Sequence, residues 1–421
     1  MSLAGPFEMT VDPLGDAFDL LAAYRPPGFF FARAGRGVAG AVGFPTVSFA
    51  GTTDVVEILR ESTTRRHAVA PVAAGAIAFR RESRILDPDD LVGRRASHEL
   101  MVPRRAVVRG PDGRTWRVDA AYVNGDAEDP PPFERVDGGA PHEPFTDLQR
   151  LEVPPAREYA TAVTTAVGRI RRGELRKVVL ARTVEVRAGR TLDPRLLLHR
   201  LRAVDPDAYT FAAPTNDGVI VGASPELLVS RFGREIRSNP LAGSAPRSGD
   251  PDEDQANAEA LAASSKDREE HAIVVEAVAE TLRPLCEELT WDPEPVLRET
   301  PNVWHLSTRF RGVLRDPPQT VLDLVAALHP TPAVVGTPTD VALATIAELE
   351  PFDRGRYAGP VGWVDADGDG EWAIALRCAE LRGDRATLFA GAGIVAGSVP
   401  EAELEETERK FRAFLDALRW G

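Results

Sequence analysis

RATLFAGAGIVAGSVPEAELEETERKFRAFLDAL, residues 385–418, holds a strand, a turn and a helix in one run. Arg385–Ala390 reads as the strand. The glycines at 391, 393 and 397 follow as a turn in which bare backbone can approach a carboxylate closely. Glu401–Leu418 reads as the helix, opened by a capping box between Ser398 and Glu401. Gly391, Gly393 and Ala396 also fit the loose dinucleotide pattern G-x-G-x-x-A. That motif needs its helix to start at the glycines, and here Gly397 and Pro400 delay it, so nucleotide binding is set aside. On the helix, Glu403 and Glu406 stand three apart with Lys410 four further on, and all three share a face.

Working outward, a second acidic pair has the same spacing. Asn257–Leu285 reads as one long helix, and within it Asp267 and Glu270 fall on one face. Two such faces opposed would make an oxygen-rich site for a hard cation. Magnesium suits it, because it takes one or two carboxylates completed by water and substrate oxygens. Acidic residues on helices are usually plain solvated surface, so the pairs need company.

Two residues supply it. Lys177 opens the apolar strand Lys177–Val186. A lysine there either snorkels at the strand end or is desolvated, and desolvation favours the neutral amine that a base requires. Glu226 sits in Gly222-Ala223-Ser224-Pro225-Glu226-Leu227-Leu228. It is either an edge-strand glutamate or a carboxyl held protonated as a general acid.

The rest of the chain separates into two halves around a breaker region, 123–147, with Pro130-Pro131-Pro132 and Gly138-Gly139. The first half reads as short strands at Phe29-Phe30-Phe31, Gly37–Phe44, Gly75–Phe79 and Arg114–Val118, the last following the turn Pro111-Asp112-Gly113. It carries no chemical signature and is expected to be scaffold. The second half adds a helix over Ala156–Gly173, a strand pair over Gly218–Val229 broken at Ser224-Pro225, and a short helix over Thr320–Leu328. Tyr357–Val364 and Glu371–Leu381 read as a hairpin around Asp365–Gly370. That turn imitates the start of a calcium loop, but position 12 is Leu376, so a hairpin turn is the better reading.

With 421 residues, 43% of them apolar, the chain has ample material for a large core. Its 50 basic and 64 acidic residues leave a net charge of -14, which repels nucleic acid and anionic lipid. An anionic substrate must therefore meet local positive charge or a metal. Cys286 and Cys378 form no metal or disulfide pattern and suit a reducing cytosol. The N-terminal MSLAGPFEMTVDP has no basic start and no apolar stretch, so no signal peptide is expected. No run approaches the roughly 20 apolar residues of a membrane span. No G-x-S-x-G, Walker A or H-E-x-x-H motif is present.

From about Val153 to Leu418 the pieces resemble the chorismate-binding enzyme family, which comprises anthranilate, aminodeoxychorismate, isochorismate and salicylate synthases. The blocks that carry the likeness come in one order: Lys177–Arg182, Gly222–Leu228, Leu241-Ala242-Gly243-Ser244, Lys266–His271, Val303-Trp304-His305-Leu306, His329–Pro338, Arg354–Gly359, Ile374–Arg377 and Gly391–Lys410. The resemblance implies an α+β fold, one large domain of two stacked antiparallel sheets flanked by helices. Residues 1–150 would be its β-rich N-terminal part and 151–421 the catalytic part. The site would lie between the sheets and a helical layer.

The resemblance also implies roles. Lys177 matches a general base that activates water for attack at C2 of chorismate, and Glu226 the general acid for the departing C4 hydroxyl. Glu270 and Glu406 match magnesium carboxylates, with Asp267 and Glu403 as neighbours acting through water. Tyr357 and Arg377 match residues on the enolpyruvyl carboxylate, with the Gly393 amide at the same end. Lys410 matches a lysine near the ring carboxylate, and Gly243 and Ser244 line the ring pocket. His329 is placed with the substrate-binding set, although for it and for His305 an orienting role is an equal alternative.

Within the family, anthranilate synthases carry glutamine where this chain has Lys177, so lysine points to water. Aminodeoxychorismate synthases keep a lysine as well. Members that eliminate pyruvate tend to read Phe-Pro-x-x-Thr-x-x-Gly, and this chain reads His329-Pro330-Thr331-Pro332-Ala333-Val334-Val335-Gly336. Ala333 stands in the threonine position, a form that looks like the dedicated isochorismate synthases. Asp267 replaces a frequent glutamate, which argues against a direct metal bond there. Ser244 replaces a frequent threonine. A salicylate synthase and a catalytically silent chorismate binder are the competing readings. The expected enzyme is a monomer in the cytoplasm, with chorismate as its small-molecule partner and neither nucleic acid nor membrane as a partner.

Overall fold

The computed structural model describes residues 7–14, 18–40, 47–48, 53–61, 72–79, 98–110, 113–122, 145, 147–215 and 217–419. The Pro130–Pro132 and Gly138–Gly139 breaker region and residues 41–44 lie outside these. A twelve-stranded sheet runs in the order Phe7–Leu14, Thr115–Tyr122, Arg105–Arg109, Arg36–Gly40, Phe29–Arg33, Tyr209–Pro214, Val219–Ser224, Cys378–Arg382, Arg385–Ile394, Lys177–Arg187 and Gly336–Thr337. Gln149–Glu152 pairs beside Lys177–Arg187. A nine-stranded sheet centres on Glu235–Asn239, Leu227–Phe232, Gly370–Ile374, Pro360–Asp365 and Val72–Ile77. Pairing is antiparallel in both.

Period-two alternation explains the layers. Phe29 and Phe31 face the core between the two sheets, where they join Phe211, Phe310 and Trp372. Phe30 faces the other way, into a second core under the helices Pro194–Val204 and Pro400–Arg419 with Leu197, Leu201, Phe411 and Phe414. Each of these side chains is fully or almost fully buried, worth roughly 1.5–3 kcal/mol apiece. Strands preceding residue 150 contribute to both sheets, so the two halves are built into the same sheets.

Two chain segments pass from one sheet to the other side by side. Val219–Ser224 lies in the first sheet and Leu227–Phe232 in the second, with Pro225-Glu226 between. Gly370–Ile374 lies in the second and Cys378–Arg382 in the first, with Ala375–Arg377 between. Proline cannot donate to a ladder, so pairing stops at Pro225. The crossovers hold each other: the Ile374 amide donates to the Glu226 carbonyl at 3.2 Å, and the Ala223 amide to the Arg377 carbonyl at 3.3 Å. The expected hairpin strand Glu371–Leu381 is thus two strands, one per sheet.

Three further details differ from the sequence reading. Asn257–Leu285 is not one helix but two, Pro251–Ala263 and Ser265–Leu282, followed by a 3-10 turn at Arg283–Leu285. Ser264 leaves the helical region and caps the second helix by accepting the Asp267 amide, the competition for backbone that serine brings. Ser398 accepts the Val395 amide at 3.1 Å instead of forming a capping box with Glu401. A third sheet, Leu241–Pro246, Val303–Ser307 and Val296–Glu299, stands apart from the two large ones. The Asp365–Gly370 turn is the hairpin expected: Asp365 Oδ1 takes the amides of Asp367 and Asp369, both at 2.9 Å. Among the described residues no helix is long and apolar enough to cross a membrane.

Candidate active site

A cleft opens where the crossovers, the small third sheet and two helices converge. One wall is the crossover pair with Glu226 and Arg377; a second is the small sheet with Gly243, Ser244 and His305. The helix Ser265–Leu282 contributes Glu270, and the helix Pro400–Arg419 contributes Glu406 and Lys410. Tyr357, Gly393 and Ala333 also line it.

Four residues of the expected set stand behind this wall. Lys177 is fully buried, with Nζ 3.0 Å from Glu270 Oε1. That contact lacks hydrogen-bond geometry, and the ammonium has no hydrogen-bond partner among the described residues. Gly393 exists because of this pair: a Cβ there would fall 2.0 Å from Glu270 Oε1 and 3.0 Å from Lys177 Cε. Asp267 is engaged by the Ser264 hydroxyl. It lies behind Gly243, whose φ of +72° and near contact with the Asp267 side chain suit glycine. Glu403 is paired with Lys266 at 2.8 Å. His329 is outside the cleft lining, with Nε2 3.1 Å from the Phe79 carbonyl.

The electrostatics are opposed across the cleft. Burial pushes the Glu226 carboxyl up to about 7, against the pull of the Leu241 amide and of the Lys177 and Arg377 charges. Burial also raises Asp267 and, with help from Glu406, raises Glu403. For Glu406, burial acts in the same direction, but Lys410 at 2.5 Å overrides it and holds the carboxylate low. Lys410 also donates to the Gly391 carbonyl at 2.8 Å.

Arg377 is held in an unusual conformation. Its φ of 49° is the left-handed region, which costs a non-glycine residue roughly 1–2 kcal/mol. The guanidinium lies 3.0 Å from His305 Nε2, and His305 Nδ1 lies 3.1 Å from the Gly243 carbonyl. Only one tautomer satisfies both: Nδ1 carries the proton and Nε2 accepts from arginine. Burial and the neighbouring Arg377 charge keep His305 well below its usual range, so it stays neutral. His271 is also neutral, lowered to about 4 by burial and Lys177, and its Nε2 lies 2.7 Å from Thr308 Oγ1.

Among the described residues no three His, Cys, Asp or Glu side chains form a ready cage for a metal ion. Three carboxylates at or behind the wall are instead matched to lysines: Glu270 to Lys177, Glu403 to Lys266 and Glu406 to Lys410. The donor set nevertheless fits a cation that needs few protein ligands. Glu270 and Glu406 both open on the cleft, and magnesium takes one or two carboxylates with water and substrate oxygens. Sequence reading gave no role to Lys266, nor to Glu350 and Arg354, whose i,i+4 spacing was the visible signal.

The family profile described as chorismate binding enzyme matches residues 56–419. The chain is 49% identical over 273 residues to isochorismate synthase DhbC of Bacillus subtilis, covering 63% of this chain and 69% of the relative. It is 42% identical over 270 residues to isochorismate synthase EntC of Escherichia coli, covering 64% and 69%. Among solved structures, MenF, the menaquinone-specific isochorismate synthase of Escherichia coli, superposes with a TM-score of 0.78 at 26% identity, covering 99% of this chain and 95% of that one.

Proposed function

The chain belongs to the chorismate-binding enzyme family, and on that premise we propose that it is an isochorismate synthase, an isomerase that trades the C4 hydroxyl of chorismate for one at C2. The observation that carries the reading is the presence, around one cleft, of a buried carboxyl held near 7 and a fully buried lysine. Water attacks C2, and Lys177, once it has given up its own proton, takes the proton of that water. As the new C2–O bond forms, the ring double bonds shift and the C4–O bond breaks, with the Glu226 proton leaving on the hydroxyl. One acid and one base suffice.

Chorismate is a dianion, and this acidic chain must meet it with local positive charge. Arg377, oriented by neutral His305, offers a planar fork to the enolpyruvyl carboxylate, with the Tyr357 hydroxyl and the Gly393 amide at the same end. Gly243 and Ser244 bound the ring side. Glu270 and Glu406 would hold magnesium, with Asp267 and Glu403, engaged by Ser264 and Lys266, acting through water. When bound, the cation supplies positive charge to the ring carboxylate. The same reading takes the chain as a cytosolic monomer, residues 1–150 as scaffold and 151–421 as the catalytic part; elution as a dimer in gel filtration would overturn the first of these.

The deciding assay incubates purified protein with chorismate and magnesium beside an EDTA control and resolves products by chromatography. Isochorismate in mixture with chorismate, little salicylate and no turnover in EDTA is the expected result. Salicylate and pyruvate as main products would make it a salicylate synthase and overturn the meaning given to Ala333. Bound chorismate without turnover would leave a silent binder.

The acid assignment has its own signature. Because Glu226 must be protonated and titrates near 7, kcat/KM, which reports free enzyme, is expected to fall with rising pH above about 7. A profile flat from pH 6 to pH 9 would remove Glu226 from the role.

A further inference from the structure

Strand Lys177–Arg187 pairs fully on one edge with Arg385–Ile394. On its other edge the partners are interrupted. Gly336–Thr337 covers Lys177–Val178 and Gln149–Glu152 covers Val184–Arg187. Between them no strand supplies partners for residues 179–183 among the described residues. A buried ion pair fills part of that gap. Glu350 Oε1 accepts the Ala181 amide at 2.7 Å. Arg354 Nη2 donates to the Val179 carbonyl at 2.8 Å. The two side chains close on each other through a fork, Nε to Oε2 at 2.8 Å and Nη2 to Oε1 at 2.5 Å.

The fifth bond of this cluster reaches a different element. Arg354 Nη1 donates to the Val334 carbonyl at 2.9 Å. Val334 belongs to the tight turn 331–335, closed by the Val334 and Val335 amides on the Thr331 carbonyl, both at 3.1 Å. This turn puts Ala333 into the cleft, and the Val335 carbonyl takes the Val179 amide at 2.9 Å. One guanidinium therefore ties the strand that begins with Lys177 to the turn that presents Ala333.

We propose that Glu350 and Arg354 are a positioning pair that sets the distance between the Lys177 strand and the Ala333 wall, and thereby decides whether the cleft stops at isochorismate or goes on to release the enolpyruvyl group. The inference rests on the reading of the chain as an isochorismate synthase. Arg354 itself lines the cleft and Glu350 stands behind it; the pair acts by position rather than by chemistry. It acts through two carbonyls and one amide, alongside the Val179-to-Val335 bond and the Gly336–Thr337 pairing that join the same two elements. A buried Arg–carboxylate fork suits this, because its planar geometry admits few alternatives. The Phe79 ring packs against the Arg354 guanidinium, with its centroid 4.3 Å from the guanidinium carbon.

The test compares wild type with Arg354→Lys, Glu350→Gln and Phe79→Leu. For each, thermal midpoint, kcat, KM for chorismate and pyruvate released per chorismate consumed are measured. Lysine keeps the charge but loses the fork, and glutamine keeps the acceptor for Ala181 but loses the ion pair. Both are expected to lower kcat by on the order of 10²-fold, the scale of an ångström-level misplacement. KM is expected to move by less than about threefold, since the binding groups stay, and the pyruvate fraction to rise several-fold. Folded variants with wild-type kcat and pyruvate fraction would overturn the inference, as would a kcat loss equal to the unfolded share. If the pair variants do not fold, Phe79→Leu decides: its pyruvate fraction must rise, and an unchanged fraction overturns the proposal. Wild type that makes no isochorismate would sink the functional reading instead, so the two failures are separable.

Discussion

Glu226→Gln is expected to abolish turnover and at the same time to stabilise the protein at pH 8. Loss of a general acid costs typically 10²–10⁴-fold in rate. The stability gain follows from the same burial that makes the residue useful. Its carboxyl rises from 4.5 to about 7 on folding, so the folded chain binds this proton more tightly than the unfolded one. Below about pH 4.5 both states are protonated and the group contributes nothing. Between 4.5 and 7 the penalty for ionising it in the cleft grows, and above 7 it is fully present. At 1.36 kcal/mol per pKa unit this is about 3 kcal/mol. Glutamine never ionises and still offers an oxygen to the Leu241 amide, but its NH2 faces Lys177 and Arg377, so a gain of roughly 2–3 kcal/mol is expected at pH 8 and well under half of that at pH 5. Urea unfolding at the two pH values reads it. A variant that keeps turnover within tenfold of wild type, or that is less stable at both pH values, contradicts the assignment.

What was legible in the sequence and what was not divides along one physical line: spacing within an element against contact between elements. The 3.6-residue period put Glu403, Glu406 and Lys410 on one helix face, and the structure has Glu406 and Lys410 both on the cleft. It also paired Asp267 with Glu270, yet only Glu270 lines the cleft, because Asp267 is drawn to Ser264. Ser264-Ser265-Lys266-Asp267 carries the S-x-x-D form of a cap, a signal hidden by reading one helix through it. The break at Ser224-Pro225 was visible; that it carries the chain from one sheet to another was not, since a sheet change depends on which strands lie beside it.

Contacts between distant elements were beyond any local pattern. Lys266 meets Glu403 across 137 residues, and Arg377 meets His305 across 72. The third sheet, which aims Gly243 and His305 at the cleft, follows from pairings that periodicity alone leaves open. The order of the family's blocks supplied what periodicity did not, by grouping residues before their contacts were known. It grouped His329 with the substrate set, and the structure puts its imidazole on the Phe79 carbonyl.

Lys177→Met tests the base and the cation together. Methionine keeps the length and apolar stem of lysine but has no proton to move, so turnover is expected to fall by about 10²–10⁴-fold. The variant also strips Glu270 of the ammonium 3.0 Å from its Oε1. Removing one partner of a buried pair costs roughly 3–5 kcal/mol, because the remaining charge is left uncompensated. Here the two proposed roles interact. If Glu270 is a magnesium carboxylate, then in wild type the cation approaches an oxygen that already faces a positive charge. In the methionine variant the cation is the only counter-charge within the site for that oxygen. Magnesium is therefore expected to raise the thermal midpoint of Lys177→Met by more than it raises that of wild type, while leaving the variant inactive. Calorimetry of both proteins with and without magnesium, with calcium as a second cation, reads the difference. Equal shifts would mean that Glu270 does not hold the metal, and a variant that still turns over chorismate would mean that Lys177 is not the base.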